Sequence, residues 1–189
     1  LPIPGILGHV QTMLRLFAAL PVSTDQALEL TSLQKGLTGA SWRPIENFHV
    51  TLRFFGDVDR RTAESLDDEI AGIDARQFPL GLSGAGWFGR REPHSVWAGV
   101  RADDALTGLA AACERAARRV GLPAEKRPYR PHVTLAYCHG TPLEDARAWT
   151  ERHQGFASGP DWADRFHLYS SHTGRGPSRY VPEADYVLG

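Results

Sequence analysis

The sequence predicts an α+β fold whose strands pair in an antiparallel way. Apolar runs with a period of two residues alternate with helical segments, which indicates both strands and helices. The strands are spaced too irregularly for a parallel, doubly wound sheet, and a short turn containing Gly and Pro joins two of them directly. The 189 residues suit about one domain, and no Ser/Gly-rich linker divides residues 13–189.

The first half of the chain is predicted to hold two strands and two helices. Residues 14–20 form an apolar strand, and the turn at 21–25 supplies capping residues for a helix that runs to about residue 37. After a loop at Trp42-Arg43-Pro44, residues 48–55 alternate as a strand does. A helix over roughly 60–74 follows.

The second half is predicted to be richer in strands. Strands at 78–88 and 94–101 flank a turn at 89–93, where Gly and Pro favour a hairpin. The remaining predicted elements are an Ala-rich helix at 103–120, a strand at 132–138, a helix from about 142 to 153, and strands near 164–171 and 178–187.

The N-terminal segment and the cysteines bear on where the protein works. Met13 is the only methionine and directly precedes the first strand, so we expect the native chain to start there and residues 1–12 to be a non-native or upstream extension. No apolar run approaches the ~18 residues of a membrane span. Cys113 and Cys138 provide neither a disulfide framework nor a zinc-ligand set, which favours a reducing cytosol.

The charge balance limits the kind of ligand. Lys and Arg total 21 against 22 Asp and Glu, a net charge of −1, so we expect no broad cationic surface for long duplex nucleic acid. A small anionic ligand held at one local basic patch is compatible with this composition. Residues 126–131 form a basic loop that Pro128 and Pro131 make rigid.

The most informative feature is a repeated tetrapeptide, His-Val-Thr-Leu, at residues 49–52 and again at 132–135. A repeat of this length is expected by chance roughly 0.2 times in such a chain, so repetition alone is weak. Each copy, however, lies in a predicted strand, and the second directly follows the basic loop.

Strand alternation predicts one polar and one apolar face for each copy. The expected faces are His49, Thr51 and Arg53 against Phe48, Val50, Leu52 and Phe54 in the first strand, and His132, Thr134 and Ala136 against Val133, Leu135 and Tyr137 in the second. Each strand would then present an imidazole beside a hydroxyl. The alternative is a merely solvated polar face, and two matched copies disfavour it.

Two imidazoles facing one another can act as general base and general acid in one turnover. Nearby hydroxyls and arginines can hold the oxygens of a transferring phosphoryl group, and proton transfer at both the attacking and the leaving oxygen then needs no metal. Such a pair predicts a bell-shaped pH dependence with apparent pKa values on either side of about 6.5. The residues alone do not decide which histidine is the acid.

These motifs resemble those of the 2H phosphoesterase superfamily, and more closely those of the bacterial RNA 2′,3′-cyclic phosphodiesterases historically called 2′-5′ RNA ligases. The resemblance covers nearly everything after Met13, and Phe55 stands where the family more often has Leu. It is carried by R-L-F-A-A at 15–19, N-F-H-V-T-L-R-F-F-G-D-V at 47–58, R-P-Y-R-P-H-V-T-L at 127–135 and the ending L-Y-S-S through R-Y at 168–180.

The resemblance implies a two-lobed fold with pseudo-twofold symmetry, in which two antiparallel sheets line a central cleft and helices cover the outside. It implies hydrolysis of RNA 2′,3′-cyclic phosphate ends to 2′-phosphate ends without a metal or other cofactor. His49 would be the proton donor and His132 the proton acceptor, while Thr51, Thr134 and Arg130 would bind the phosphate. The implied partner is an RNA or oligonucleotide end, bound by a monomer without a protein partner or a membrane.

Two further functions fit the same cleft. One is an RNA-end binding module without turnover, which the near-neutral charge disfavours because such modules have a broad basic face. The other is ATP-independent ligation that forms 2′-5′ linkages. Formation of a 2′-monophosphate from a 2′,3′-cyclic nucleotide would distinguish the enzyme from the module.

Other motifs carry weaker signals. Residues 84–89 match G-x-G-x-x-G, but a strand rather than a helix is predicted to follow, which argues against a dinucleotide site. Ser83 lacks the second Gly of a nucleophile elbow. His167 and His172 have no Cys or carboxylate cluster beside them, and Cys138 is expected to be a packed small residue. Three aromatic residues near loops are candidates for stacking on a base, namely Trp42, Tyr129 and Trp162.

Overall fold

A computed structural model describes residues 13–101, 103–174 and 176–189, and the expectation for residues 1–12 lies outside these ranges. The helices within these ranges are α1 (Thr24–Thr31), α2 (Arg60–Ala71), α3 (Asp104–Arg119) and α4 (Leu143–His153), with a 3-10 turn at Ile45–Asn47. The strands are β1 (Leu14–Pro21), β2 (Ala40–Trp42), β3 (His49–Val58), β4 (Phe78–Phe88), β5 (Ser95–Val100), β6 (His132–Cys138), β7 (Ala157–Ala163), β8 (Arg165–Gly174) and β9 (Gly176–Val187).

The strands form two antiparallel sheets, which confirms the predicted α+β class and the two-lobed architecture. One sheet has the order β3-β1-β8-β9 and the other β2-β6-β5-β4-β7. Apart from β2, the two orders correspond position by position, with β3 matching β6 and β1 matching β5. The two His-Val-Thr-Leu strands therefore occupy equivalent places in the pseudo-twofold arrangement.

Two helices cover the outside of each sheet. Helix α3 packs against β3 and α2 in the first lobe, while α4 packs against β4 and α1 against β7 in the second. The stripe on α3 that faces the sheet follows helical spacing and is fully or nearly fully buried. It consists of Leu106, Leu109, Ala110, Cys113, Ala116 and Ala117.

The helix boundaries follow from capping chemistry. Ser23 and Gln26 form a reciprocal capping box at the start of α1, and Asp59 caps α2 by accepting from the backbone N–H of Thr62. Helix α1 ends at Thr31, six residues before its predicted end. The Thr31 and Ser32 hydroxyls donate to the carbonyls of Leu28 and Glu29, each at 2.6 Å, and such bonds compete with helix propagation.

Two strands were missed by the sequence analysis. Strand β2 has only three residues, too few to show strand periodicity, and it includes Trp42, for which the sequence predicts a loop. Strand β7 contains Gly159-Pro160 and the polar residues Ser158 and Asp161, which have low strand propensity. It lies at the edge of its sheet, where Pro is tolerated. Within the ranges that the structure describes, no helix is long and apolar enough to span a bilayer.

Gly99 provides a test of how closely the strands of the second sheet approach one another. Gly99 is on β5 and pairs with His132 on β6. A Cβ added to Gly99 would lie 2.4 Å from the carbonyl oxygen of Ser83. We expect Gly99→Ala to lower the free energy of unfolding by about 1–3 kcal/mol, measured by urea denaturation.

The matched control is Gly108→Ala on α3, where an added Cβ meets no atom within 4 Å. It should raise the free energy of unfolding by up to about 1 kcal/mol, because Ala has the higher helix propensity. Equal effects of the two substitutions would contradict the close strand approach at Gly99.

Candidate active site

The fold brings the two His-Val-Thr-Leu strands together, since β3 and β6 are in contact across the two sheets. A cavity of about 510 Å³ opens between them. It is lined by Arg15, Phe17, Arg43, Asn47, His49, Thr51, Phe54, Asp57, Thr134, Tyr137, Ser171, Thr173, Ser178 and Tyr180. Three of the predicted site residues, His49, Thr51 and Thr134, line this cavity, whereas His132 and Arg130 do not.

Each histidine ring is held by a hydrogen bond from Nδ1 to the backbone carbonyl two residues before it. The Nδ1 atom of His49 lies 2.7 Å from the carbonyl oxygen of Asn47, and the Nδ1 atom of His132 lies 2.7 Å from that of Arg130. A carbonyl only accepts, so Nδ1 is the protonated nitrogen in both rings. Nε2 of each neutral ring is therefore the free base, and Nε2 of His49 is 3.1 Å from the Thr51 hydroxyl.

Aromatic side chains fix the planes of both rings. The His49 ring lies 5.0 Å from the Phe17 centroid and meets Tyr180 edge-on at 5.2 Å. The His132 ring meets Phe88 edge-on at 4.8 Å and lies 6.0 Å from Trp97. Each imidazole is therefore oriented by a carbonyl on one side and by packed rings on the others.

Both imidazoles are weaker bases in the folded protein than in water. Burial lowers the pKa of His49 to about 4, against the hydrogen bond from its Nδ1 to Asn47, and the charges of His132 and Arg43 lower it further. Burial also lowers the pKa of His132, and the charge of Arg130 adds to this effect. The charge of His132 acts on the pKa of His49, so the two imidazoles are close enough to interact electrostatically.

The predicted alternation of the first strand is wrong beyond Thr51. The register with β1 shifts twice, pairing Thr51 with Ala19, Arg53 with Ala18 and Phe54 with Phe17. Because of the extra residue at Leu52, Phe54 turns into the cavity. Arg53 instead lies on the helix side, where its guanidinium pairs with Glu114 of α3.

The second strand departs from alternation in the same way. Its register with β5 shifts after Thr134, so Leu135 is the extra residue and Tyr137 lines the cavity with Thr134. Ala136, expected on the polar face, is instead fully buried. The bulged carbonyl of Leu135 accepts from the backbone N–H of Arg43 at 2.8 Å. An aromatic residue three positions after each Thr therefore faces the cleft.

Arg130 is exposed, and its charge is close enough to lower the pKa of His132. The arginines that line the cavity are Arg15 and Arg43, neither of which was chosen from the sequence. Arg15 pairs with Asp57 at 3.3 Å. Arg43 lies in the loop after β2, and its position after a tryptophan in the sequence gives no signal of a role in a site.

None of the three aromatic residues proposed for base stacking lines the cavity. Trp42 packs against the core, Trp162 is 68% exposed on β7, and the Tyr129 hydroxyl donates to the carbonyl of Thr51 at 3.2 Å. The aromatic residues of the cleft are Phe17, Phe54, Tyr137 and Tyr180. The pKa of Tyr180 is raised to about 12, mainly by burial, so its hydroxyl stays protonated.

The remaining motifs have structural positions. The G-x-G-x-x-G segment lies in β4 and its turn and leads into β5 rather than into a helix, and Ser83 lies within β4. His167 lies 3.4 Å from Asp185, and Cys138 is buried in the core. Among the residues that the structure describes, no group of three or more His, Cys, Asp or Glu could hold a metal ion.

Comparisons with known proteins point to one family. A family model described as the 2′-5′ RNA ligase superfamily matches residues 21–175. The RNA 2′,3′-cyclic phosphodiesterase of Escherichia coli is 34% identical over 154 residues, covering 77% of this chain and 80% of that protein. The crystal structure of Escherichia coli LigT complexed with 3′-AMP matches with a TM-score of 0.76 and 25% identity, covering 94% of this chain and 99% of that one.

Two other relatives, each named RNA 2′,3′-cyclic phosphodiesterase, are longer than the matched region. The protein from Geobacillus stearothermophilus is 33% identical over 127 residues, which cover 64% of this chain and 40% of that protein. The protein from Aeropyrum pernix is 36% identical over 107 residues, which cover 54% of this chain and 61% of that protein. The match therefore spans less than two thirds of either relative.

The lowered pKa of His49 has a consequence for stability. Its folded-state pKa of about 4 lies below the unfolded value of 6.5, so acid favours protonation of the unfolded chain. The contribution of His49 is complete above pH 6.5 and is lost as the pH falls from about 6.5 through about 4. We expect His49→Asn, whose amide can still donate to Asn47, to lose less unfolding free energy than the wild type between pH 7 and pH 4.5. Equal losses in urea denaturation would contradict the buried, neutral imidazole.

Proposed function

The chain belongs to the 2′-5′ RNA ligase superfamily, and from this premise we propose that it hydrolyses RNA 2′,3′-cyclic phosphate ends to 2′-phosphate ends. The proposed catalyst is the pair of imidazoles, with His49 as proton donor and His132 as proton acceptor, and no metal takes part. Two relatives that carry the name of this activity extend well beyond the matched region.

The observation that carries the proposal is the equivalent placement of the two motifs. Each histidine lies on a corresponding strand of its sheet, donates from Nδ1 to the carbonyl two residues before it, and shares a strand face with a threonine. A binding module needs no such matched pair of bases. Proton transfer at two oxygens of one phosphodiester does need it.

In the proposed reaction Nε2 of His132 removes a proton from water as the water oxygen attacks phosphorus. The bond between phosphorus and O3′ breaks, and the proton on Nε2 of His49 passes to the leaving O3′. The phosphate remains on O2′. The histidines then exchange protons with solvent and return to their starting states. Every named group comes from one chain, so a monomer suffices.

The threonines would hold the non-bridging oxygens of the phosphate. Thr51 and Thr134 both line the cavity, and their hydroxyls can donate to the charge that grows on those oxygens in the transition state. Arg130, exposed beside His132, would contribute a positive charge at the rim of the cleft. The 5′-hydroxyl of a second RNA in place of water would form a 2′-5′ linkage, the proposed ligation.

The assay follows a 2′,3′-cyclic nucleotide to its 2′-monophosphate. We expect turnover that survives EDTA, and kcat reduced about 10²–10⁴-fold in His49→Asn and in His132→Asn, since each loses one proton-transfer group. Arg60→Gln, which removes an exposed arginine of α2, is the control and should keep normal turnover. Wild-type binding of the nucleotide without turnover would support the binding module instead.

The threonine hydroxyls can be removed without changing side-chain shape. Thr51→Val and Thr134→Val should each lower kcat/KM roughly 10–150-fold, because a hydrogen bond to a charged group contributes about 1.5–3 kcal/mol. Thr107→Val, on the exposed face of α3, provides a control for the substitution itself. If both cleft variants are as active as the wild type, the phosphate does not lie between the two strands.

The pH profile separates the free protein from its complex. Both histidines have pKa values below 6.5 in the free protein, so kcat/KM should peak on the acid side of pH 6.5, below the centre predicted from sequence. Above the peak it should fall about tenfold per pH unit as the donor loses its proton. The bound phosphate anion raises both pKa values, which moves the kcat profile to higher pH. A kcat/KM that rises steadily from pH 6 to 9 would contradict a histidine donor.

A further inference from the structure

Arg43 is a buried cation at the wall of the cleft. Only 7% of its surface is exposed, yet it is one of the residues that line the cavity. Its guanidinium lies 5.2 Å from the ring centroid of Tyr137 and 5.7 Å from that of Tyr180. One terminal nitrogen donates to the carbonyl of Ser178 at 3.3 Å, and the same carbonyl accepts from Asn47. The side chain is therefore held in place from three sides.

The positive charge of Arg43 is not neutralised by a carboxylate. Over residues 13–101, 103–174 and 176–189, no Asp or Glu forms an ion pair with it. Burying an unpaired charge is costly, and two aromatic rings and one long hydrogen bond offset that cost only in part. A guanidinium has five N–H donors, and those of Arg43 that do not reach Ser178 or the Tyr180 hydroxyl are available to a ligand in the cavity.

Resting on the proposed function, we propose that Arg43 binds the reacting phosphate and is the cation that neutralises it in the cleft. A guanidinium held between aromatic rings presents a rigid fork of donors, which suits two oxygens of one phosphate. Arg43 is also close enough to His49 for its charge to lower the pKa of that imidazole. The bound anion therefore lies beside both the cation and the proton donor.

This position couples phosphate binding to protonation of the donor. With no anion present, the Arg43 charge disfavours a second positive charge on His49. A phosphate on Arg43 cancels that effect and adds its own attraction, so His49 takes up a proton as the substrate binds. The proton donor is then charged mainly in the complex, where it is needed.

The other arginines near the cleft are less suited to this role. Arg15 is already paired with Asp57, and Arg53 is held by Glu114 on the helix side of β3. Arg130 is exposed and does not line the cavity. Arg43 alone among these four combines burial, a place in the cavity wall and a charge without a carboxylate partner in the described ranges.

The test measures binding, so it does not depend on turnover. Titration calorimetry with 2′-AMP and with inorganic phosphate should show roughly 10–150-fold weaker affinity for Arg43→Gln than for the wild type. Affinity for adenosine, which has no phosphate, should be unchanged. Arg43→Lys should recover part of the phosphate affinity because it restores the charge without the fork, and Arg60→Gln should bind as the wild type does.

Titration of His49 by NMR provides a readout that a merely structural role would not produce. In the wild type, 2′-AMP should raise the pKa of His49 strongly. In Arg43→Gln the starting pKa should be higher and the rise on adding 2′-AMP smaller. If Arg43→Gln does not fold, the Nε–H resonance of Arg43 in the wild-type protein is followed instead, and it should shift on adding phosphate but not adenosine.

The inference would be overturned if Arg43→Gln bound 2′-AMP as tightly as the wild type. It would also be overturned if the Arg43 Nε–H resonance did not shift on adding phosphate. Equal losses of adenosine and 2′-AMP affinity would also overturn it, because Arg43 would then only support the cleft. Failure of the proposed function would give a different result. The wild type would bind phosphate, Arg43→Gln would bind it more weakly, and the wild type would form no 2′-monophosphate.

Discussion

The hydrogen bond from each histidine Nδ1 to the carbonyl two residues before it is the interaction on which the site depends. It fixes the tautomer, so that the basic nitrogen of the neutral ring is Nε2 in both cases. The carbonyl alone would raise the pKa of the imidazole, but burial outweighs it, and both rings are neutral in the free protein near pH 7. Both rings therefore present an unprotonated Nε2 in the free protein.

The two sheets supply the second requirement, which is to present matching side chains from opposite sides. Equivalent strands place the two motifs at corresponding positions of the two sheets, and a bulge one residue after each Thr turns an aromatic side chain into the cavity. The bulge at Leu135 also anchors the backbone of Arg43. One local irregularity therefore shapes the cavity wall and positions its buried cation.

The sequence predicted the parts of this arrangement that depend on regular periodicity. The α+β class and most strands and helices followed from apolar spacing, and the repeated tetrapeptide pointed to the residues that the two facing strands carry. Strict alternation predicts the wrong strand faces for Phe54, Tyr137 and Arg53. It does not allow for the extra residue that a β-bulge inserts into each strand. Arg43 was missed because its burial arises from tertiary contacts with Tyr137, Tyr180 and Ser178, which lie far along the chain.

The most direct test of the account is the protonation state of the two imidazoles, read from their ¹⁵N NMR shifts in the free protein at pH 7. We predict that His49 and His132 are both neutral, with the proton on Nδ1 and a bare Nε2. A proton on Nε2 of either neutral ring, or a charged imidazole in the free protein, would contradict it.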